Sequence, residues 1–145
     1  YFNQYISFNR KKIIPNLVDI STTRKDVSDM GWEIYPQGMF DILMDFSDYH
    51  IPIYITENGI ANVPDSERVR FIKEHLIWVH KAISESVDVR GYMYWSLLDN
   101  FEIVDGFPVR FGLVEIDYAT LERKIRPSAY EYAKICITNQ LEIDS

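Results

Sequence analysis

Apolar residues recur along this chain in two rhythms, and the rhythms alternate. Met39, Phe40, Leu43, Met44 and Phe46 fall at helical spacing, with Pro36 near the start, and predict a helix over 38–49. Ile51, Ile53 and Ile55, with Tyr54 between them, have the β-branched and aromatic content of an interior strand over 51–56. Pro52 is tolerable near its start, and Asn58-Gly59 supplies the turn chemistry that ends it. Asn62–Asp65 reads as a turn, with Ser66 as the expected N-cap of the next helix. That helix carries Val69, Ile72, Leu76, Val79 and Ile83 on one stripe, while Arg68, Lys73, Lys81 and Glu85 fall outside it. A second strand is predicted over 89–95, then a hairpin around 111–117 and a last helix over 128–138 behind Pro127. At the other end, Phe2–Phe8 reads as a short strand and Arg10–Asp29 as a long polar loop. Strands alternating with helices predict an α/β fold built on a parallel sheet with crossover helices.

Composition narrows the class. At 47% hydrophobic and 14% aromatic, 145 residues can pack a real core, and the composition argues against disorder. A net charge of −7 argues against nucleic acid as a partner, because phosphate-tracking domains carry basic patches; the short Arg10-Lys11-Lys12 cluster reads as a solvated loop. No apolar run reaches the roughly 18 residues of a membrane span. No signal peptide is visible and a cytoplasmic location is the expectation, although the chain reads as starting within a domain. The single cysteine, Cys136, lies in an apolar helical pattern and is expected to be a small buried hydrophobe. His50, His75 and His80 lack the spacing of helical metal ligands and read as surface or helix-packing residues. There is no Gly-rich phosphate loop and no Gly-x-Ser-x-Gly elbow, and no metal or cofactor is expected.

Two windows concentrate polar chemistry at strand ends. Ile53–Gly59, reading Ile-Tyr-Ile-Thr-Glu-Asn-Gly, sets Glu57 at the C-terminal lip of a stiff strand, where parallel α/β barrels keep their catalytic side chains. Alone, this window slightly favours an ordinary polar residue where a strand meets solvent. The second window is Gly91-Tyr-Met-Tyr-Trp-Ser-Leu-Leu-Asp-Asn-Phe-Glu102. Together the two resemble the C-terminal portion of glycoside hydrolase family 1, the retaining β-glucosidases and β-galactosidases. Gly31-Trp-Glu-Ile-Tyr-Pro-Gln-Gly38, Arg110-Phe-Gly-Leu113 and Arg126-Pro-Ser128 match in order, and Asn3-Gln-Tyr5 resembles a degraded Asn-Tyr-Tyr strand. The resemblance covers nearly the whole chain and is nearest the archaeal-type branch. It implies a single partial domain over 1–145, about the last three βα units of a (β/α)₈ TIM barrel, since a closed barrel needs about 250 residues.

The resemblance also implies roles. Glu57 matches the nucleophile of a double-displacement β-glycosidase, and Tyr5 the tyrosine that orients it, with Asn3 in support; a plain core tyrosine fits position 5 equally well. Trp95 matches the platform beneath the sugar ring, followed in the family by an unusual cis peptide. Glu102 matches the acceptor of the sugar's C4 and C6 hydroxyls, and Phe111 the wall near C6. The substrate implied is a β-linked glucoside or galactoside. Two departures stand out. Ile103 replaces a tryptophan whose indole N–H donates to a sugar hydroxyl, and no Asn-Glu-Pro, the family's acid/base motif, occurs anywhere. Glu33, Glu102 and Glu115 are carboxylates without that context. The chain thus reads as catalytically incomplete alone, with a complementary N-terminal half-barrel as a possible partner, or else as a non-catalytic chain keeping part of a sugar platform.

Overall fold

A computed structural model describes residues 26–142. The elements run α1 (Gln37–Ser47), β1 (Ile53–Asn58), α2 (Arg68–Ser84), β2 (Val89–Tyr94), β3 (Val114–Ile116), β4 (Arg123–Ile125) and α3 (Pro127–Thr138). The strand predicted over Phe2–Phe8 and nearly all of the Arg10–Asp29 loop lie outside the described residues.

β1 and β2 pair in parallel, joined by the α2 crossover, as the alternation predicts. The register is irregular, matching Ile53 to Val89, Ile55 to Tyr92 and Asn58 to Tyr94. Helices cover one face of this pair. Met39 and Leu43 of α1 and Val79 and Ala82 of α2 close over Ile55 and Val87. A second cluster, Ile60, Phe71, Ile72, Tyr94 and Leu113, receives Ala129, Tyr132 and Ile135 of α3. The other face and the outer edge of β1 have no such cover among the described residues: β1 pairs only with β2, and Ile51 and Tyr54 are half exposed. No helix among the described residues is long and apolar enough to cross a membrane.

Several expectations shift. β1 is shifted two residues downstream of the predicted 51–56, starting at Ile53 and ending at Asn58. The hairpin is β3–β4, centred downstream of 111–117. Ser66 does not cap α2: the cap position is Glu67, without a side-chain cap bond. Of the predicted stripe, Ile72 and Val79 are buried but Ile83 is exposed, because the helix buries the neighbouring set Arg68, Phe71, Ile72, His75, Val79 and Ala82. Cys136 is exposed rather than buried. Among the described residues α3 packs through the face of Ala129, Tyr132 and Ile135, and Cys136 sits off it.

Candidate active site

The C-terminal ends of β1 and β2 are stapled to each other. The Trp95 amide donates to the Asn58 carbonyl at 3.0 Å, and the Tyr92 hydroxyl donates to Asn58 Oδ1 at 2.7 Å. Asn58 is buried, so its neighbour Glu57 is held from behind and its side chain is left exposed. Only glycine fits at position 59, where a Cβ would collide with the Trp95 carbonyl oxygen. The Trp95–Ser96 peptide is cis. Beyond it the chain turns back, the Leu113 amide donating to the Ser96 carbonyl at 2.9 Å.

This folding brings Glu57, Trp95, Glu102 and Phe111 onto the walls of one cleft of about 260 Å³. Four of the five predicted site residues therefore meet; Tyr5, with Asn3, lies outside the described residues. Trp32, Asn100 and Phe101 also line the cleft. Trp32 packs a tilted ring against Phe111, centroids 6.3 Å apart. It belongs to the Gly31–Gly38 motif, but nothing in that motif's pattern marks its indole as a wall of the site. Ile103 stands at the rim, 92% exposed. The carboxylates among the described lining residues are Glu57 and Glu102.

Glu102 is the electrostatically unusual member. Burial raises its pKa, the nearby Trp95 indole favours the charged form, and the negative charges of Asp105 and Glu57 raise it further; the net shift is upward. Its Oε1 is buried without a hydrogen-bond partner among the described residues. A buried acceptor of this kind is ready for a donor supplied from the cleft.

Behind the cleft lies a charged frame. Asp99 is buried and takes a bidentate pair from Arg126, Nη1 to Oδ1 and Nη2 to Oδ2, both at 3.0 Å. The Gly112 amide adds 2.8 Å to Oδ1 and Arg110 adds 3.2 Å to Oδ2. Burial pushes the Asp99 carboxyl up, but the bonds from Arg126 and the Gly112 amide outweigh it and hold the carboxyl below the usual range. A second frame centres on Arg68, fully buried and paired with Asp65. Its Nε donates to the Tyr94 hydroxyl at 3.0 Å and its Nη2 to the Asn62 and Arg110 carbonyls at 2.7 and 3.0 Å. Asp65 in turn accepts from the Ser128 amide at 3.0 Å and hydroxyl at 2.7 Å. The Arg110–Leu113 and Arg126–Ser128 motifs are thus largely scaffold. Among the described residues no three His, Cys, Asp or Glu side chains gather as metal ligands.

The profile of glycosyl hydrolase family 1 matches residues 3–141. The chain belongs to glycosyl hydrolase family 1. A β-galactosidase of Sulfolobus acidocaldarius is 44% identical over 121 residues, which are 83% of this chain and 25% of that protein. The β-glucosidase A of Acetivibrio thermocellus is 42% identical over 77% of this chain and 28% of its own length. Among solved structures, a β-glycosidase from Pyrococcus horikoshii superposes with a TM-score of 0.79 at 51% identity, over 81% of this chain and 28% of that one. The family 1 β-glucosidase from Thermotoga maritima gives 0.78 at 38% identity, over 83% and 30%. The chain therefore spans about a quarter of the length of the curated relatives it matches. Those family 1 glycosidases are (β/α)₈ barrels, and the fold described here is part of one.

Proposed function

We propose that this chain forms a single partial domain, the last three βα units of a retaining β-glycosidase barrel, and carries the nucleophile half of its sugar site. Glu57 attacks the anomeric carbon of a β-glucoside or β-galactoside and holds the glycosyl ester, while Trp95 offers its indole face to the ring. Glu102 receives sugar hydroxyls, for which its orphaned buried oxygen is suited, and Phe111 closes the C6 side. Tyr5 donates to Glu57 and orients it. The observation that carries this reading is that one cleft unites the motif carboxylate at the end of β1 with Trp95, Glu102 and Phe111 from the segments that follow β2.

In a retaining site the acid/base stands about 5–5.5 Å from the nucleophile and protonates the departing oxygen. No Asn-Glu-Pro occurs here, so the proton donor comes from a complementary N-terminal part of the barrel. Without it, the loss of general acid catalysis alone lowers turnover by about 10²–10⁴-fold. The isolated chain should show at most trace hydrolysis of an aryl β-glucoside.

The test is covalent capture in the assembled barrel, with the complementary part supplied. A 2-deoxy-2-fluoro glucoside with a good leaving group forms its ester readily and releases it slowly, because the electron-poor ring disfavours both transition states and the leaving group rescues only the first. Peptide mapping should place the label on Glu57. A label on Glu102, or none in an otherwise active enzyme, would overturn the assignment.

A further inference from the structure

The segment that carries Glu102 has almost no core of its own. The amides of Glu102 and Gly106 each donate to the other's carbonyl, at 3.0 and 2.6 Å, closing a tight loop with Gly106 in the left-handed region (φ 77°). Ile103 and Val104 at its tip are 92% and 91% exposed, and the flanking Phe101 and Phe107 are half exposed. Within the loop Glu102 is held by its backbone bridge to Gly106 and its side chain meets the Trp95 indole; the loop itself is braced by a neighbouring element.

That element is the β3–β4 turn. Its Tyr118 ring lies 4.5 Å from Phe107, which packs edge-on against Phe101 at 5.1 Å. The Tyr118 hydroxyl donates to the Asn100 carbonyl at 3.1 Å. The Arg110 guanidinium lies 4.3 Å from the Tyr118 ring centroid, itself tied to Asp99 Oδ2 at 3.2 Å and the Ile116 carbonyl at 2.9 Å. One phenol ring thus grips both limbs of the loop, at Asn100 and at Phe107, and is backed by the buried ion-pair frame. The turn is itself rigid, since Asp117 Oδ1 accepts from the Ala119 and Thr120 amides at 2.8 and 3.1 Å.

We propose that Tyr118, which does not line the cleft, is a positioning residue for the sugar site: it aims Glu102 by clamping the loop through Phe107 and Asn100. This rests on the reading of Glu102 as the acceptor of sugar hydroxyls. If Glu102 reaches the C6 hydroxyl, the site distinguishes a glucoside from a xyloside, which lacks that group, and the distinction depends on how well Glu102 is held. A charge-assisted hydrogen bond corresponds to about 10- to 100-fold in affinity.

The experiment measures binding of methyl β-glucoside and methyl β-xyloside to this chain assembled with the complementary part of the barrel, by saturation-transfer NMR. The assembled wild-type protein should prefer the glucoside, and Glu102→Gln should abolish the preference. Tyr118→Ala should remove most of it and speed amide exchange at Gly106. Tyr118→Phe keeps both ring contacts but loses the Asn100 hydrogen bond, so its preference should fall between those of the wild type and Tyr118→Ala. Phe107→Leu, which keeps apolar volume but loses the stack, should behave like Tyr118→Ala and serves if that variant does not fold. A purely structural Tyr118 would lower the urea midpoint while leaving the glucoside-to-xyloside ratio unchanged; that result, with the ratio still lost in Glu102→Gln, overturns the proposal. Failure of the assembled wild-type protein to bind either sugar, or a preference untouched by Glu102→Gln, instead overturns the sugar-site reading and the proposal with it.

Discussion

Acidification should weaken this fold through one imidazole, and the size of the effect can be worked out. His75 lies on the buried face of α2, 1% exposed, its ring stacked on Phe71 with centroids 3.9 Å apart. Its Nδ1 is 2.7 Å from the Phe71 carbonyl, an acceptor, so Nδ1 carries the proton of the neutral ring. Burial lowers its pKa from 6.5 to about 4, against a smaller upward pull from the Phe71 carbonyl. Between those two values the unfolded chain binds a proton that the folded chain refuses. Stability is therefore fully present above pH 6.5 and falls as the pH drops toward 4, by about 1.4 kcal/mol per unit and about 3 kcal/mol in all. Urea unfolding followed by tryptophan fluorescence between pH 4.5 and 7.5 measures this. His75→Gln keeps a side-chain donor for the Phe71 carbonyl and cannot titrate, so its stability should hold nearly level from pH 6.5 to 5 while that of the wild type declines. His50 and His80 are exposed and stay in both proteins. Parallel pH profiles for wild type and variant would refute the reasoning, as would a wild-type fold that gains stability on acidification.

Other consequences are equally open to measurement. Arg126→Met should remove about 3–5 kcal/mol from the urea unfolding free energy, because it leaves the buried Asp99 carboxylate without its bidentate partner; a loss under 1 kcal/mol would mean that Arg110 and the Gly112 amide suffice. Gly59→Ala should force apart the junction between β1 and the Trp95 carbonyl, visible as loss of near-ultraviolet tryptophan ellipticity. An unchanged spectrum would contradict that close approach. The isolated chain, with the outer edge of β1 unpaired among the described residues and Phe46, Ile51 and Tyr54 half exposed, should self-associate or bind a hydrophobic dye. A monodisperse, dye-silent monomer with a sharp melt would count against this.

Periodicity located both parallel strands, both crossover-side helices and α3, because each of these buries one repeating face. It misjudged edges where pairing rather than pattern decides. β1 continues to Asn58 because Asn58 pairs with Tyr94, a partner that lies far along the chain. Cys136 reads as buried in an apolar run, but a short helix with a single packing face leaves half of such a run in water. Motif matching found Glu57, Trp95, Glu102 and Phe111, the residues that share the cleft. It left Trp32 unassigned, since a wall residue from another segment is recognised only once the chain has folded. Arg68 was the least legible. It sits in step with Phe71, Ile72, His75 and Val79, so a polar residue was continuing a buried stripe. The groups that satisfy it range from Asp65 beside it to Tyr94 and Arg110 far downstream.

Asp65 sets a limit on how this molecule can be divided. Its carboxylate serves Arg68, the guanidinium at the head of α2, and also the Ser128 amide and hydroxyl at the head of α3. Arg68 in turn spends its remaining donors on Tyr94 and on the carbonyls of Asn62 and Arg110. A cut between Ser84 and Tyr94 that lets the two parts separate takes the Tyr94 hydroxyl and the Arg110 carbonyl from the buried Arg68, and a cut between Arg110 and α3 takes the Ser128 amide and hydroxyl from Asp65. Residues from Asn62 to Ser128 should therefore be inherited, exchanged between relatives and proteolysed as one block. Breakpoints that preserve folding belong upstream of Asn62 or beyond the first turn of α3.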